Sequence, residues 1–122
     1  MDGGEVFNFT LRAVPTLVNQ ALSDAGVGVS DVDAFLFHQA NLFMLKHLAK
    51  KLKIPAERFP TNIERFGNTS SATIPLLIST NLAQAVSERT LRVAMAGFGV
   101  GYSWGSAILP IGPLACVETV WV

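Results

Sequence analysis

Residues 34–41 read Ala34-Phe35-Leu36-Phe37-His38-Gln39-Ala40-Asn41, and residues 42–52 continue Leu42-Phe43-Met44-Leu45-Lys46-His47-Leu48-Ala49-Lys50-Lys51-Leu52. The first four residues are wholly apolar, the pattern of a short strand buried on both faces. Leu42, Leu45, Ala49 and Leu52 then recur at helical spacing, while Lys46, Lys50 and Lys53 fall on another face. A buried strand that runs straight into an amphipathic helix is the unit of a layered α/β sheet. His38 to Asn41 occupy the junction. In open α/β sheets that junction, at the carboxyl end of a strand, is where ligands bind.

Working outward, the same pattern repeats. Val6 to Ala25 is expected as a helix on the stripe Val6, Phe9, Ala13, Leu17 and Ala21, bent or broken at Pro15 and ended by Gly26 and Gly28. After the central unit, Phe59-Pro60-Thr61-Asn62 is expected as an irregular strand and Gly67 to Ser70 as a turn. A third helix, capped by Ser70 or Ser71 with Pro75 in its first turn, runs to about Glu88. Leu91 to Ala96 and Tyr102 to Leu109 are strands, antiparallel and joined through Gly97–Gly101. The expected order is α-β-α-β-α-β-β, a mixed sheet with helices on its faces.

Composition narrows the function classes. The chain has 122 residues, enough for one domain or part of one. Half of it is hydrophobic and 15% is charged, against about one quarter charged in an average soluble domain. Such short polar cover is expected where part of the surface is buried by something else. Nine basic residues balance nine acidic ones, which gives no excess charge for nucleic acid. Cys116 is the one cysteine, so neither an intramolecular disulfide nor a cysteine-based zinc site is expected, and no metal. The opening MDGGEVFNF carries two acids and no basic segment, so no secretory signal is expected and the cytoplasm is the default location. Val93 to Val117 is free of charge and long enough to span a bilayer, yet its five glycines and two prolines suit a helix poorly. Buried strands fit it better, and no membrane partner is expected.

Three features can carry chemistry. His38 stands at the strand-to-helix junction, although an imidazole there can simply end a strand. Asn68 lies in the turn Gly67-Asn68-Thr69-Ser70, where asparagine is also an ordinary turn residue. Gly97-Phe98-Gly99-Val100-Gly101 is not a dinucleotide fingerprint, because it joins two strands and lacks that spacing. Read together and in order, the three form a specific series. From about Met1 to Leu109 the chain resembles the C-terminal part of 3-oxoacyl-(acyl-carrier-protein) synthase III, a thiolase-like condensing enzyme.

The resemblance implies a Cys-His-Asn triad in which His38 and Asn68 are two members. It implies acyl transfer from acyl-CoA to the cysteine, entry of malonyl-carrier protein, loss of CO2, and attack of the resulting enolate, the starting step of fatty acid synthesis. Substrates are acyl-CoA and malonyl-ACP, with no cofactor. The chemistry suits those residue types, because a neutral imidazole N–H and a carboxamide can both donate to the oxygen on which charge develops. The loop Phe98-Gly99-Val100-Gly101 is implied at the acyl oxyanion, and Gln39, Ala40, Asn41, Leu42, Phe43, Lys46 and Lys50 at the acyl carrier protein. A homodimer is implied for the complete enzyme.

Three departures accompany the match. The family's nucleophilic cysteine lies in an N-terminal half absent from these residues, and Cys116 sits in an apolar tail, Pro110 to Val122, without a counterpart. The family's Gly-Gly-Gly turn reads Gly99-Val100-Gly101, with a valine that resists positive φ. An arginine the family often has two places after the motif asparagine is Phe43, whose charge Lys46, Lys50 and Lys53 can replace. The chain is therefore expected to be part of a second, layered half, inactive and self-associating alone. The other readings are a related polyketide or acyl-CoA condensing enzyme and a non-catalytic partner subunit.

Overall fold

The computed structural model describes residues 2–122. Ala34–Phe37 is strand β1, with all four residues buried. It lies parallel to β2, Leu91–Gly99, with Ala34 opposite Val93 and Phe37 opposite Ala96. β2 turns back into β3, Ser103–Ile111, in an antiparallel pair that runs from Leu91–Ile111 to Gly99–Ser103. The sheet order is β1-β2-β3. Parallel strands need a long crossover, and the segment between β1 and β2 supplies it with helices. These are α2 (Leu42–Leu52), α3 (Ile63–Phe66), α4 (Thr73–Asn81) and α5 (Ala83–Glu88).

Alternate side chains of β1 enter two different cores, as the pleat of a strand requires. Phe35 and Phe37 pack with Val14, Val18 and Leu22 of helix α1 (Gly3–Ala25) and with Leu45 and Leu48 of α2. Ala34 and Leu36 pack with Leu77 of α4 and Val86 of α5. Helices thus cover both faces of a mixed sheet, the expected α/β class.

Several elements differ from the sequence expectation. The expected strand at Phe59–Asn62 does not form. A 3-10 turn, Ala56–Arg58, leads instead through buried Phe59 to α3. Pro60 has no N–H to give a ladder, and the Asn62 N–H is taken by the Gln39 side chain at 3.1 Å. The expected third helix is broken into a 3-10 turn at Ser70–Ala72, then α4 and α5. The Thr80 hydroxyl donates to the Leu76 carbonyl at 2.6 Å just before the second break, a local bond that competes with the helix ladder.

Helix α1 does not break at Pro15. A proline leaves the carbonyl four residues earlier without a donor. That carbonyl, Leu11, accepts from Lys51 Nζ of α2 at 2.8 Å. The buried stripe is Thr10, Val14, Val18 and Leu22, one residue round from the expected one. Two neighbouring ridges of this helix are apolar, and the second one meets the β2–β3 turn through Phe9, which stacks on Tyr102 at 4.5 Å. Gly97 and Gly99 belong to β2, so the turn is only Val100–Tyr102. The charge-free segment folds as this strand pair and the start of the tail, and no helix among the described residues is long and apolar enough to cross a membrane. β3 runs to Ile111, past the expected boundary at 109. Beyond it the chain is irregular but anchored, with Thr119 bonded to Ser79 at 2.9 Å and Trp121 stacked on Phe66.

Candidate active site

A cleft of about 740 Å³ opens at the carboxyl end of β1. His38, Asn68, Ser70, Phe98 and Val100 line it, with Val6 of α1 closing one side. Three segments far apart in sequence therefore converge on one space: the strand-to-helix junction, the Asn68 loop and the β2–β3 hairpin.

His38 is fixed from below. Its N–H donates to the Ala96 carbonyl at 2.9 Å, one step past the β1–β2 ladder. Its ring meets the edge of Phe98 at 5.4 Å between centroids. Nδ1 lies 2.8 Å from the Thr73 hydroxyl oxygen, which leaves Nε2 for the cleft. Burial pushes the His38 pKa below its ordinary value, and the nearby Ser70 carbonyl opposes this in part by favouring the charged ring. Burial thus favours the neutral form of the ring.

The residues that follow His38 serve the frame. Gln39 is fully buried, its amide donating to the Phe37 carbonyl at 2.8 Å and its oxygen accepting from Asn62 N–H. Its side chain is committed to the frame beneath the cleft. The Asn41 side chain caps α2 through Oδ1, which accepts from Met44 N–H at 2.7 Å, and the residue is exposed at the cleft. Phe43 is 63% exposed and stacks on Phe7. Lys46 and Lys50 are exposed, Leu42 and Ala40 half-buried. The one ion pair among the described residues is Arg89–Asp33, so neither lysine is neutralised.

Asn68 is exposed on the cleft wall, and its Oδ1 accepts from Ser70 N–H at 2.9 Å. A backbone N–H can be met only by the amide oxygen, so the Nδ2 group is the free end. Ser70 closes this small ring with φ of 57°, a left-handed conformation that serine adopts at a cost. At the hairpin, Gly101 has φ of 136° while Val100 has a negative φ. The position that needs positive φ falls on glycine and not on the valine. Cys116 is exposed in the tail near Glu118 and does not line the cleft.

Sequence reading missed Thr73 and the bracing role of Gln39. No pattern marks Thr73, because only the break between the Ser70–Ala72 turn and α4 brings it beneath His38. Gln39 carried a readable signal, a polar residue between a buried strand and a cap.

Residues 22–111 match the family model described as 3-oxoacyl-[acyl-carrier-protein (ACP)] synthase III C terminal. The chain is 43% identical over 108 residues to beta-ketoacyl-[acyl-carrier-protein] synthase III of Acaryochloris marina, covering 88% of this chain and 32% of the relative. Among solved structures, a 3-oxoacyl-(acyl-carrier protein) synthase from Burkholderia xenovorans superposes with a TM-score of 0.95 at 63% identity, over 98% of this chain and 34% of that one. The priming beta-ketosynthase of the R1128 polyketide pathway superposes with a TM-score of 0.79 at 33% identity, over 92% of this chain and 34% of that one. The chain spans about a third of the length of these relatives.

Proposed function

The chain belongs to the 3-oxoacyl-(acyl-carrier-protein) synthase III C-terminal family, and on that premise we propose that it supplies the histidine and asparagine of a decarboxylating thioester condensation. In this reading acyl-CoA loads a cysteine carried outside these 122 residues, and malonyl-ACP follows. The malonyl C–CO2 bond breaks, and its electron pair passes through the α-carbon to the thioester oxygen. His38 and Asn68 hold the charge on that oxygen. The α-carbon then bonds to the acyl carbonyl and expels the cysteine thiolate.

The observation that carries this reading is the common cleft: a His38 with Nε2 unengaged and an Asn68 whose oxygen is already spent, leaving its N–H2 group to donate. Asparagine does not titrate, so its half of the oxyanion site is independent of pH. Val100 lines the cleft at the hairpin, and its backbone N–H is the group we assign to the acyl carbonyl. Phe43, Lys46 and Lys50 form the side on which an acidic acyl carrier protein docks. The starting step of fatty acid synthesis, in a cytoplasmic homodimer, is the setting we assign. A polyketide priming step is the second reading, supported by the likeness to the R1128 enzyme.

The test is condensation of radiolabelled acyl-CoA with malonyl-ACP by the complete synthase containing this segment. His38→Ala and Asn68→Ala should each lower the rate on the order of 100-fold or more. An unchanged rate in either variant contradicts the assignment.

A further inference from the structure

The chain from His38 inward has a defined direction. The Thr73 hydroxyl lies 2.8 Å from His38 Nδ1 and 3.1 Å from the Ser70 carbonyl oxygen. Thr73 is 2% exposed, so its hydroxyl is shielded from water. A hydroxyl has one proton and two lone pairs, whereas a carbonyl oxygen only accepts. The Ser70 carbonyl also faces the ring itself and favours a ring N–H. Two arrangements are open to the Thr73 hydroxyl beside a neutral ring. If Thr73 donates to Nδ1, the contact with Ser70 loses its proton and one hydrogen bond is made. If Thr73 donates to Ser70, it accepts from an Nδ1–H, and two bonds form in line. Buried polar groups favour the fully satisfied arrangement.

We propose that Thr73 is a positioning residue that holds the neutral His38 ring in the Nδ1–H form, so that Nε2 meets the cleft as an unprotonated acceptor. The consequence for catalysis rests on the condensing reading above; the tautomer does not. In that reaction Nε2 first takes the proton of the attacking thiol. The S–H bond breaks and the Nε2 lone pair forms the new N–H bond; the sulfur pair bonds the acyl carbonyl carbon, and CoA leaves with the C–S pair as a thiolate that takes its proton from solvent. The N–H that His38 later offers to the thioester oxygen is the one gained in this way. Thr73 and the Ser70 carbonyl stabilise the resulting cation from the opposite side. The expected neutral Nε2–H donor is thereby replaced by an acceptor that becomes a donor.

Nitrogen NMR of the full chain labelled with 15N-histidine tests this without any assay of activity, on the neutral rings in alkaline buffer. His47→Gln assigns the two signals. His47 also serves as a reference, because its Nδ1 faces the Phe43 carbonyl at 3.0 Å and must carry a proton to bond it. The expected result is an Nδ1–H form of His38 in about tenfold excess or more. Thr73→Val should lose that excess, and Thr73→Ser should restore it. A wild-type His38 with its proton on Nε2 overturns the proposal. So does a folded Thr73→Val chain with the wild-type tautomer ratio. Should Thr73→Val fail to fold, the wild-type and Thr73→Ser spectra still decide. A failed condensation assay with the expected tautomer would count against the function and leave the role of Thr73 standing.

Discussion

His38 and Asn68 reach the same cleft by opposite means. His38 ends a strand buried on both faces, and its neighbours are committed to the frame: Gln39 sealed in the core, Asn41 capping a helix. Asn68 sits on an exposed loop held by one short-range bond to Ser70 and by a left-handed serine. One side chain is placed by the core, the other by local loop chemistry. The lesson is that substitutions around His38 should act mainly on stability, and those around Asn68 mainly on the geometry of the site.

The largest stability effect is expected at Gln39. Gln39→Leu leaves the Asn62 N–H and the Phe37 carbonyl without their buried partner, which costs about 1–3 kcal/mol. Denaturant melts should show it, whereas Asn68→Ala, which removes one bond from an exposed loop, should melt close to the wild type. Equal losses in the two variants would erase the contrast.

Ser70→Gly sharpens it from the other side. Glycine accepts φ of 57° without strain, and the variant should gain up to about 1 kcal/mol if the strain relieved outweighs the added freedom of the unfolded chain. Condensation should fall in the same variant, because the looser loop no longer fixes Asn68. A gain in stability with full activity would separate the strain from the site.

The two arms also differ in pH. Burial, as the larger influence, lowers the folded-state pKa of His38 below its ordinary 6.5. Between that lowered value and 6.5 the unfolded chain binds more protons than the folded one, so stability rises with pH across this window and is lost as pH falls through it. His38→Gln should flatten this slope in melts at several pH values, and Asn68→Ala should leave it intact.

The smallest effect is expected on the docking side. Lys46→Glu and Lys50→Glu should each raise KM for malonyl-ACP by about 2- to 5-fold, as exposed charges allow, and added salt should shrink the difference. Acyl-CoA kinetics should stay unchanged.

How much of this the sequence disclosed follows from the same contrast. The apolar run Ala34–Phe37 and the α2 stripe were legible because burial on both faces leaves a strong local pattern. The convergence of His38, Asn68 and the glycine hairpin was legible as an ordered series of motifs. The failure at Phe59–Asn62 came from a side chain, Gln39, taking the N–H that a strand would have shared. The continuity of α1 through Pro15 came from Lys51, forty residues away. Both are tertiary bonds that no local window contains. Thr73 was invisible for the same reason, since its place under His38 depends on where a helix breaks.

The most direct measurement separates the two half-reactions of the complete synthase carrying Asn68→Ala: acyl transfer from acyl-CoA, and CO2 release from malonyl-ACP. Asn68 is assigned to the oxygen that gains charge only as CO2 leaves. The account predicts near-normal acyl transfer and CO2 release slowed on the order of 100-fold or more. Equal loss in both steps, or undiminished CO2 release, would contradict it.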